Sequence, residues 1–387
     1  MKLIALSLML GMLAPVQPAV AKPTPVDAAD AYFAAGDFPR ALAAARAAIA
    51  LDAANATARV TAGTVELYAN ALDAARADLS AVPAGTEAGA RAKRLLEEAG
   101  RRERLARGSD TNVSVAVDVV PFVRTDPLPA VAVLVNGTRG LFQIDTGAPG
   151  LSLDSAFARR LKLPEAAGSR VARFAGGPPR RIAQATVASF GLGRATIRHL
   201  RADVLPIRMP AKAGDPVIDG VIGTGIFERF AAFTLDYAQG RLVLYAPGMT
   251  VKGPVETIAP LWLVGDHFLF TRGAIAGLEG LVLLDSGLVG GGVAPSATVV
   301  RRAHLAERDA GLGLVPGGAR IALRRIVAPT VRIGASSERN VAGFYNPGPS
   351  PLAMFPFTVI GAVSHDFFRK RALTIDFATM RVLISPA

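Results

Sequence analysis

Two short triplets carry the residue types most able to do chemistry in this chain: Asp145-Thr146-Gly147 and Asp285-Ser286-Gly287. A carboxyl group near neutral pH serves as a general base when ionised and as a general acid when protonated. One such triplet alone marks a turn, because Asp and Gly are turn residues. Here the triplet occurs twice, and each copy follows a hydrophobic run, Leu141-Phe142-Gln143-Ile144 and Leu281-Val282-Leu283-Leu284. The two aspartates are 140 residues apart (285 − 145).

The segments that must position these aspartates are also repeated. The first copy begins with a strand pattern over 130–135, a tight hairpin at Asn136-Gly137, where both residues tolerate positive φ, and a second strand into Asp145. It continues to Asp219-Gly220-Val221-Ile222-Gly223, then 230–236, and closes on Arg241-Leu242-Val243-Leu244-Tyr245. The second copy has a strand at Phe268-Leu269-Phe270 and another over 280–284 into Asp285. Phe357-Thr358-Val359-Ile360-Gly361, then 371–377 and Arg381-Val382-Leu383-Ile384, complete it. The Val-Ile-Gly of 221–223 and that of 359–361 stand 138 residues apart, so the two copies are expected to align nearly without gaps.

Rival chemistries lack their residues. Cysteine is absent, which excludes disulfides, thiolate metal sites and a cysteine nucleophile. The four histidines, His199, His267, His304 and His365, show no helical metal-ligand spacing, and His365-Asp366 reads as a helix start. No Gly-x-Ser-x-Gly elbow and no phosphate-cradling Gly-rich Lys loop is present. No cofactor is expected.

Taken together, these triplets resemble the active-site loops of the aspartic proteases, in particular the bacterial retropepsin-like group. The resemblance covers residues 113–387 and rests on the paired triplets and the Val-Ile-Gly segments. It implies a mainly β, two-lobed fold with a cleft between β-barrel lobes. Asp145 and Asp285 would be catalytic, sharing a proton because two carboxylates about 3 Å apart cannot both ionise. Thr146 and Ser286 would brace the opposite loop, while Gly147 and Gly287 would let backbone approach the carboxylates. A covering hairpin is expected in each lobe, at 173–177 and at 315–318. The sequence departs from the family pattern at Leu288 and at Gly290-Gly291-Gly292, where a small residue and an ordered turn are usual. Ala148 and Leu288 also bring no side-chain hydroxyl to the carboxylates, which suggests an optimum of about pH 5–6.

Outside the β-body the chain has two further parts. Met1-Lys2, an apolar run from Leu3 to Val16 and Ala19-Val20-Ala21 form the pattern of a cleavable signal peptide over 1–21, so a periplasmic or secreted protein is expected. Residues 22–110 are Ala- and Arg-rich, with apolar spacing of the helical period and breaks at Gly36-Asp37 and at 52–55. They resemble about two tetratricopeptide repeats, and a plain helical bundle packed on the main body fits them equally. The expected division is therefore 1–21, 22–110, a first lobe over 111–250 and a second over 251–387.

The net charge of +12 comes from scattered Arg without interleaved aromatics, so nucleic acid is not an expected partner. No segment beyond the leader has the length and apolarity to remain in a membrane. The partners expected are a peptide or protein substrate and a protein bound through the N-terminal helices. Two non-enzymatic alternatives stand beside the peptidase: a binding module that keeps the fold, and a scaffold whose function lies in the helices.

Overall fold

A computed structural model describes residues 24–163, 165–172, 179–207, 216–315, 319–348 and 350–386. The proposed leader, the cover at 173–177 and residues 316–318 of the other cover lie outside these residues.

The helical part consists of α1 (Pro25–Ala34), α2 (Phe38–Leu51), α3 (Ala56–Tyr68), α4 (Leu72–Ser80) and α5 (Glu87–Ala106). Four of the five starts are capped by a side chain, and that of α4, at Ala71, is not. Thr24 and Asp27 form a reciprocal capping box on α1, while Asp37, Asn55 and Thr86 cap α2, α3 and α5 through side-chain oxygens. Such caps satisfy backbone amides that the first turn of a helix leaves unpaired. Gly36, at φ +75°, makes the turn between α1 and α2.

The rest of the chain is β-rich. One eight-stranded sheet is drawn from residues 111–222 and another from residues 262–363. A six-stranded sheet joins them, in the order Thr257–Pro260, Arg381–Pro386, Arg371–Asp376, Ala232–Asp236, Arg241–Tyr245, Val117–Pro121. Three of its strands come from each half of the β-body. One continuous apolar core runs through all three sheets, from Phe142 and Phe190 in the first half to Phe233 and Ile375 in the shared sheet and Phe367 in the second. This is the mainly β, two-lobed aspartic-protease fold with an N-terminal helical segment.

Both triplets stand at the ends of strands by the same construction. Thr138–Ile144 pairs in parallel with Gly220–Ile222, and Leu278–Leu284 pairs in parallel with Val359–Val363. The Asn136-Gly137 hairpin forms as its residues require, with φ +49° and +79°.

The expected alignment of the two Val-Ile-Gly segments is wrong by three residues. The amide of Asp145 donates to Ile222 O and that of Asp285 to Val363 O, each at 3.0 Å. Leu153 faces Gly220 where Pro295 faces Gly361. The structural counterparts are therefore Gly220 with Gly361, Ile222 with Val363, and Gly223 with Ser364. The physical reason is space at the strand crossing. A Cβ on Gly220 would stand 2.5 Å from Ser152 O, and one on Gly361 would stand 2.8 Å from Ala294 O. A register shift between Leu281 and Val282 absorbs the extra residue.

The helical segment is packed on the second half of the β-body. Phe33, Phe38 and Tyr68 join Trp262, Phe270 and Phe357 in one apolar cluster, with Phe38 stacked edge-on at 5.3 Å from Trp262 and 5.1 Å from Phe357. Around it, Thr358 donates both its amide and its hydroxyl to Ala34 O, and Arg272 pairs with Asp37 at 2.8 Å. Among the described residues no helix is long and apolar enough to cross a membrane.

Candidate active site

Asp145, Thr146, Gly147, Asp285, Ser286 and Gly287 are brought together at one point between the two eight-stranded sheets. The two loops hold each other by reciprocal bonds. Thr146 Oγ1 donates to Leu284 O at 2.9 Å and accepts from the Ser286 amide at 2.9 Å. Ser286 Oγ accepts from the Thr146 amide at 3.0 Å and donates to Ile144 O at 3.3 Å. Both hydroxyls are buried. Each therefore occupies a position where an apolar side chain would leave a backbone amide and a carbonyl unpaired.

The carboxyl groups are fixed from within and from across. Gly147 N donates to Asp145 Oδ1 at 2.8 Å, and Gly287 N donates to Asp285 Oδ1 at 2.9 Å. A Cβ at Gly147 would lie 2.6 Å from Asp285 Oδ1, and one at Gly287 would lie 2.2 Å from Asp145 Oδ1. Each glycine thus lies against the carboxylate of the other loop. The two carboxyls are thus held close enough that each affects the other's protonation.

Their electrostatics follow from this closeness. Burial and then the neighbouring charge of Asp145 push Asp285 up to about 8. Burial also raises Asp145, but the Gly147 amide and the Asp285 side chain work against it. Both carboxyls are raised, chiefly by burial, so the pair shares one proton over a wide range.

Two supporting residues escaped the sequence reading. Thr224, wholly buried at the start of the short helix Thr224–Phe227, donates its hydroxyl to Thr146 O at 2.9 Å and its amide to Ala148 O at 3.0 Å. In the second lobe Ser364, the counterpart of Gly223, donates its hydroxyl to Leu288 O at 2.8 Å. The available signal was a hydroxyl residue just beyond the small-residue strand in both copies, hidden by the three-residue misalignment. Of the four histidines, His365 begins a short 3-10 turn, as its sequence setting suggested, and is buried. Among the described residues no group of three or more His, Cys, Asp or Glu could hold a metal ion.

Residues 131–226 match the family model described as aspartyl protease. The matched stretch contains the first triplet and the strand and helix beneath it, and it supports the aspartyl protease family for this chain. The second triplet lies beyond the matched residues, and its likeness to the first rests on the geometry above. No curated protein matches the chain.

Proposed function

We propose that the chain is an aspartic endopeptidase working through Asp145 and Asp285. The observation that carries this reading is the reciprocal bonding of Thr146 and Ser286, which holds the two aspartate loops against each other between two related lobes. In the catalytic cycle Asp145 takes a proton from water, and the resulting hydroxide adds to the peptide carbonyl carbon. Asp285 gives its proton to the carbonyl oxygen. The tetrahedral diol then collapses: Asp145 passes its proton to the leaving nitrogen as the C–N bond breaks, and Asp285 takes back a proton from a diol hydroxyl as the product carboxyl forms. The dyad returns to its one-proton state. Both acids come from one chain, so a monomer is the active unit.

The remaining parts complete the proposal. Residues 1–21 are a leader removed on export to the periplasm or outside, and 22–110 is a tetratricopeptide-like segment ahead of lobes at 111–250 and 251–387. The test is incubation of the purified mature chain with a proteome-derived peptide library. Cleavage that disappears in both Asp145→Asn and Asp285→Asn supports the reading. Cleavage that persists in either removes that residue from the dyad.

A further inference from the structure

The two lobes are equivalent at the dyad, yet a peptide has a direction, so any preference along it must come from places where the lobes differ. Strand pairing relates the lobes residue by residue. Leu151 and Val293 face Ile222 and Val363, which are counterparts. Leu151 pairs in turn with Ala202, and Val293 with Gly343. Asp203 in the first lobe therefore corresponds to Phe344 in the second. One strand further out, Gln184 opposite Asp203 corresponds to Arg325 opposite Phe344.

In the first lobe this position is electrostatically closed. The buried Asp203 carboxylate accepts from Arg170 Nε at 2.9 Å, with Arg170 Nη2 as a second donor, and from Gln184 Nε2 at 3.1 Å. The second lobe carries the positive charge without the acid. Arg325 lies directly opposite Arg308, and its guanidinium sits 5.8 Å from the centroid of the Phe344 ring. Directly opposite residues of antiparallel strands are side-chain neighbours, and like charges so placed repel. Both arginines are exposed, and among the described residues neither guanidinium has an ionic or hydrogen-bonding partner. The acids beside Arg308 in the chain are engaged elsewhere, Asp309 with Arg324 at 3.4 Å and Glu307 with the Tyr345 hydroxyl at 2.5 Å. Arginine stays charged at any working pH. The row Arg308, Arg325, Phe344 thus offers two fixed cations and an aromatic face with no anion.

This row ends at the second aspartate loop. That loop has eight steps from Asp285 to Val293, where the first has six from Asp145 to Leu151. Gly290, in the longer stretch at φ +91°, lies against Phe344: a Cβ there would stand 3.0 Å from the ring. A peptide held at the dyad in extended form advances about 3.3 Å per residue, so its side chains pass this loop.

We infer that Arg325, with Arg308 beside it and Phe344 against it, receives an acidic side chain of the peptide substrate on the second-lobe side of the dyad. This rests on the peptidase reading above and gives it a substrate class: peptides with Asp or Glu at one fixed distance from the scissile bond and on one side of it. A carboxylate there gains charge-assisted bonds from the guanidinium and relieves the repulsion between the two arginines. The first lobe offers no equivalent place, because Asp203 already neutralises its arginine. The preference is therefore one-sided, and it fixes the direction in which the peptide lies.

The test uses the full mature chain and paired octapeptide pools that differ only in Glu or Gln at one position, with that position moved along the peptide in turn. At the position that meets Arg325, the Glu pool should be cleaved about 5-fold better in kcat/KM, mainly through KM, and added salt should shrink the advantage. Arg325→Gln should erase it, Arg325→Lys should keep part of it, and Arg308→Gln should reduce it. Binding of the same pools to Asp285→Asn, followed by fluorescence anisotropy, is a second readout that needs no turnover. Equal cleavage of both pools at every position, or a Glu preference that persists in Arg325→Gln, overturns the inference and leaves the peptidase standing. A native chain that cleaves nothing, yet binds the Glu pool more tightly and loses this in Arg325→Gln, defeats the peptidase reading and leaves the anion site standing. Equal binding without cleavage defeats both.

Discussion

Thr234 and Thr374 are 140 residues apart, and their hydroxyls meet at 2.7 Å where the shared six-stranded sheet crosses from one half of the β-body to the other. The pairing of their strands is antiparallel and centred on this contact, with Thr234 opposite Thr374. The same 140-residue offset relates Asp145 to Asp285 and Thr146 to Ser286. One approximate twofold axis therefore organises both the sheet and the candidate site. A change in how the halves meet at the sheet is a change in how the carboxyls meet above it.

The dyad is expected to be all-or-none. Asp145→Asn and Asp285→Asn should each lower kcat at least about 100-fold, because either change ends the exchange of acid and base roles. Circular dichroism should show both variants folded, and peptide turnover is the measurement.

Cross-loop bracing predicts a graded effect. Thr146→Ala leaves the Ser286 amide and Leu284 O without their partner, at a cost of about 1–3 kcal/mol in stability. Thr146→Ser keeps both bonds and should retain most activity. Thermal unfolding alongside turnover separates the two.

Gly287→Ala tests the approach of backbone to carboxylate. Its Cβ would stand 2.2 Å from Asp145 Oδ1, so either the loop or the carboxyl must shift. Turnover should fall about 100-fold or more, since small misplacements near reacting atoms are costly. An alanine variant with native turnover would show that the two loops are less closely apposed in solution.

The pH dependence follows from the one-proton state. Activity should fall on the alkaline side as Asp285, raised to about 8, loses its proton, and on the acidic side as Asp145 gains one. The plateau thus reaches neutrality, beyond the mild acidity that Ala148 and Leu288 alone suggest. The sign for stability is opposite to that of an ion-paired carboxylate. A raised acid binds its proton more tightly in the folded state, so its contribution is complete below the unfolded pKa and is lost as pH rises through about 8. Asp285→Asn, which needs no proton to stay neutral, should stabilise the fold by about 1–2 kcal/mol at pH 8 while ending turnover. Denaturant titrations at pH 5 and pH 8 would measure the difference.

Phe38 lies in the aromatic cluster between helices and sheet and is wholly buried. Phe38→Ala should cost about 3–5 kcal/mol, and the loss should appear as one lowered unfolding transition for helices and β-body together. Two separate transitions would show instead that the helical segment folds independently.

Much of this arrangement was readable from residue order alone. The duplicated triplet, its hydrophobic strands and the Asn136-Gly137 turn are local signals, and each needs only a few neighbouring residues to be recognised. The equivalence of Gly223 with Ser364 was not readable, because it is set by strand crossings with Leu151–Asp154 and Val293–Pro295 and by a bulge beside Leu281. The role of Thr224 was hidden for the same reason. The tie between α5 and the turn beside Val264 offered no spacing signal, because the carbonyls at 263 and 265 accept from Arg102, some 160 residues earlier, which no periodicity records.

The aromatic cluster also bears on the order in which the chain acquires its shape. Phe33, Phe38 and Tyr68 emerge from the ribosome about 200 residues before Trp262 and some 290 before Phe357, the surfaces that cover them. Helices form in microseconds or less, whereas translation adds about 5–20 residues each second. For at least ten seconds the nascent helices carry an uncovered apolar face. A chain of this design has reason to engage a chaperone early and to finish folding only after its last strands arrive.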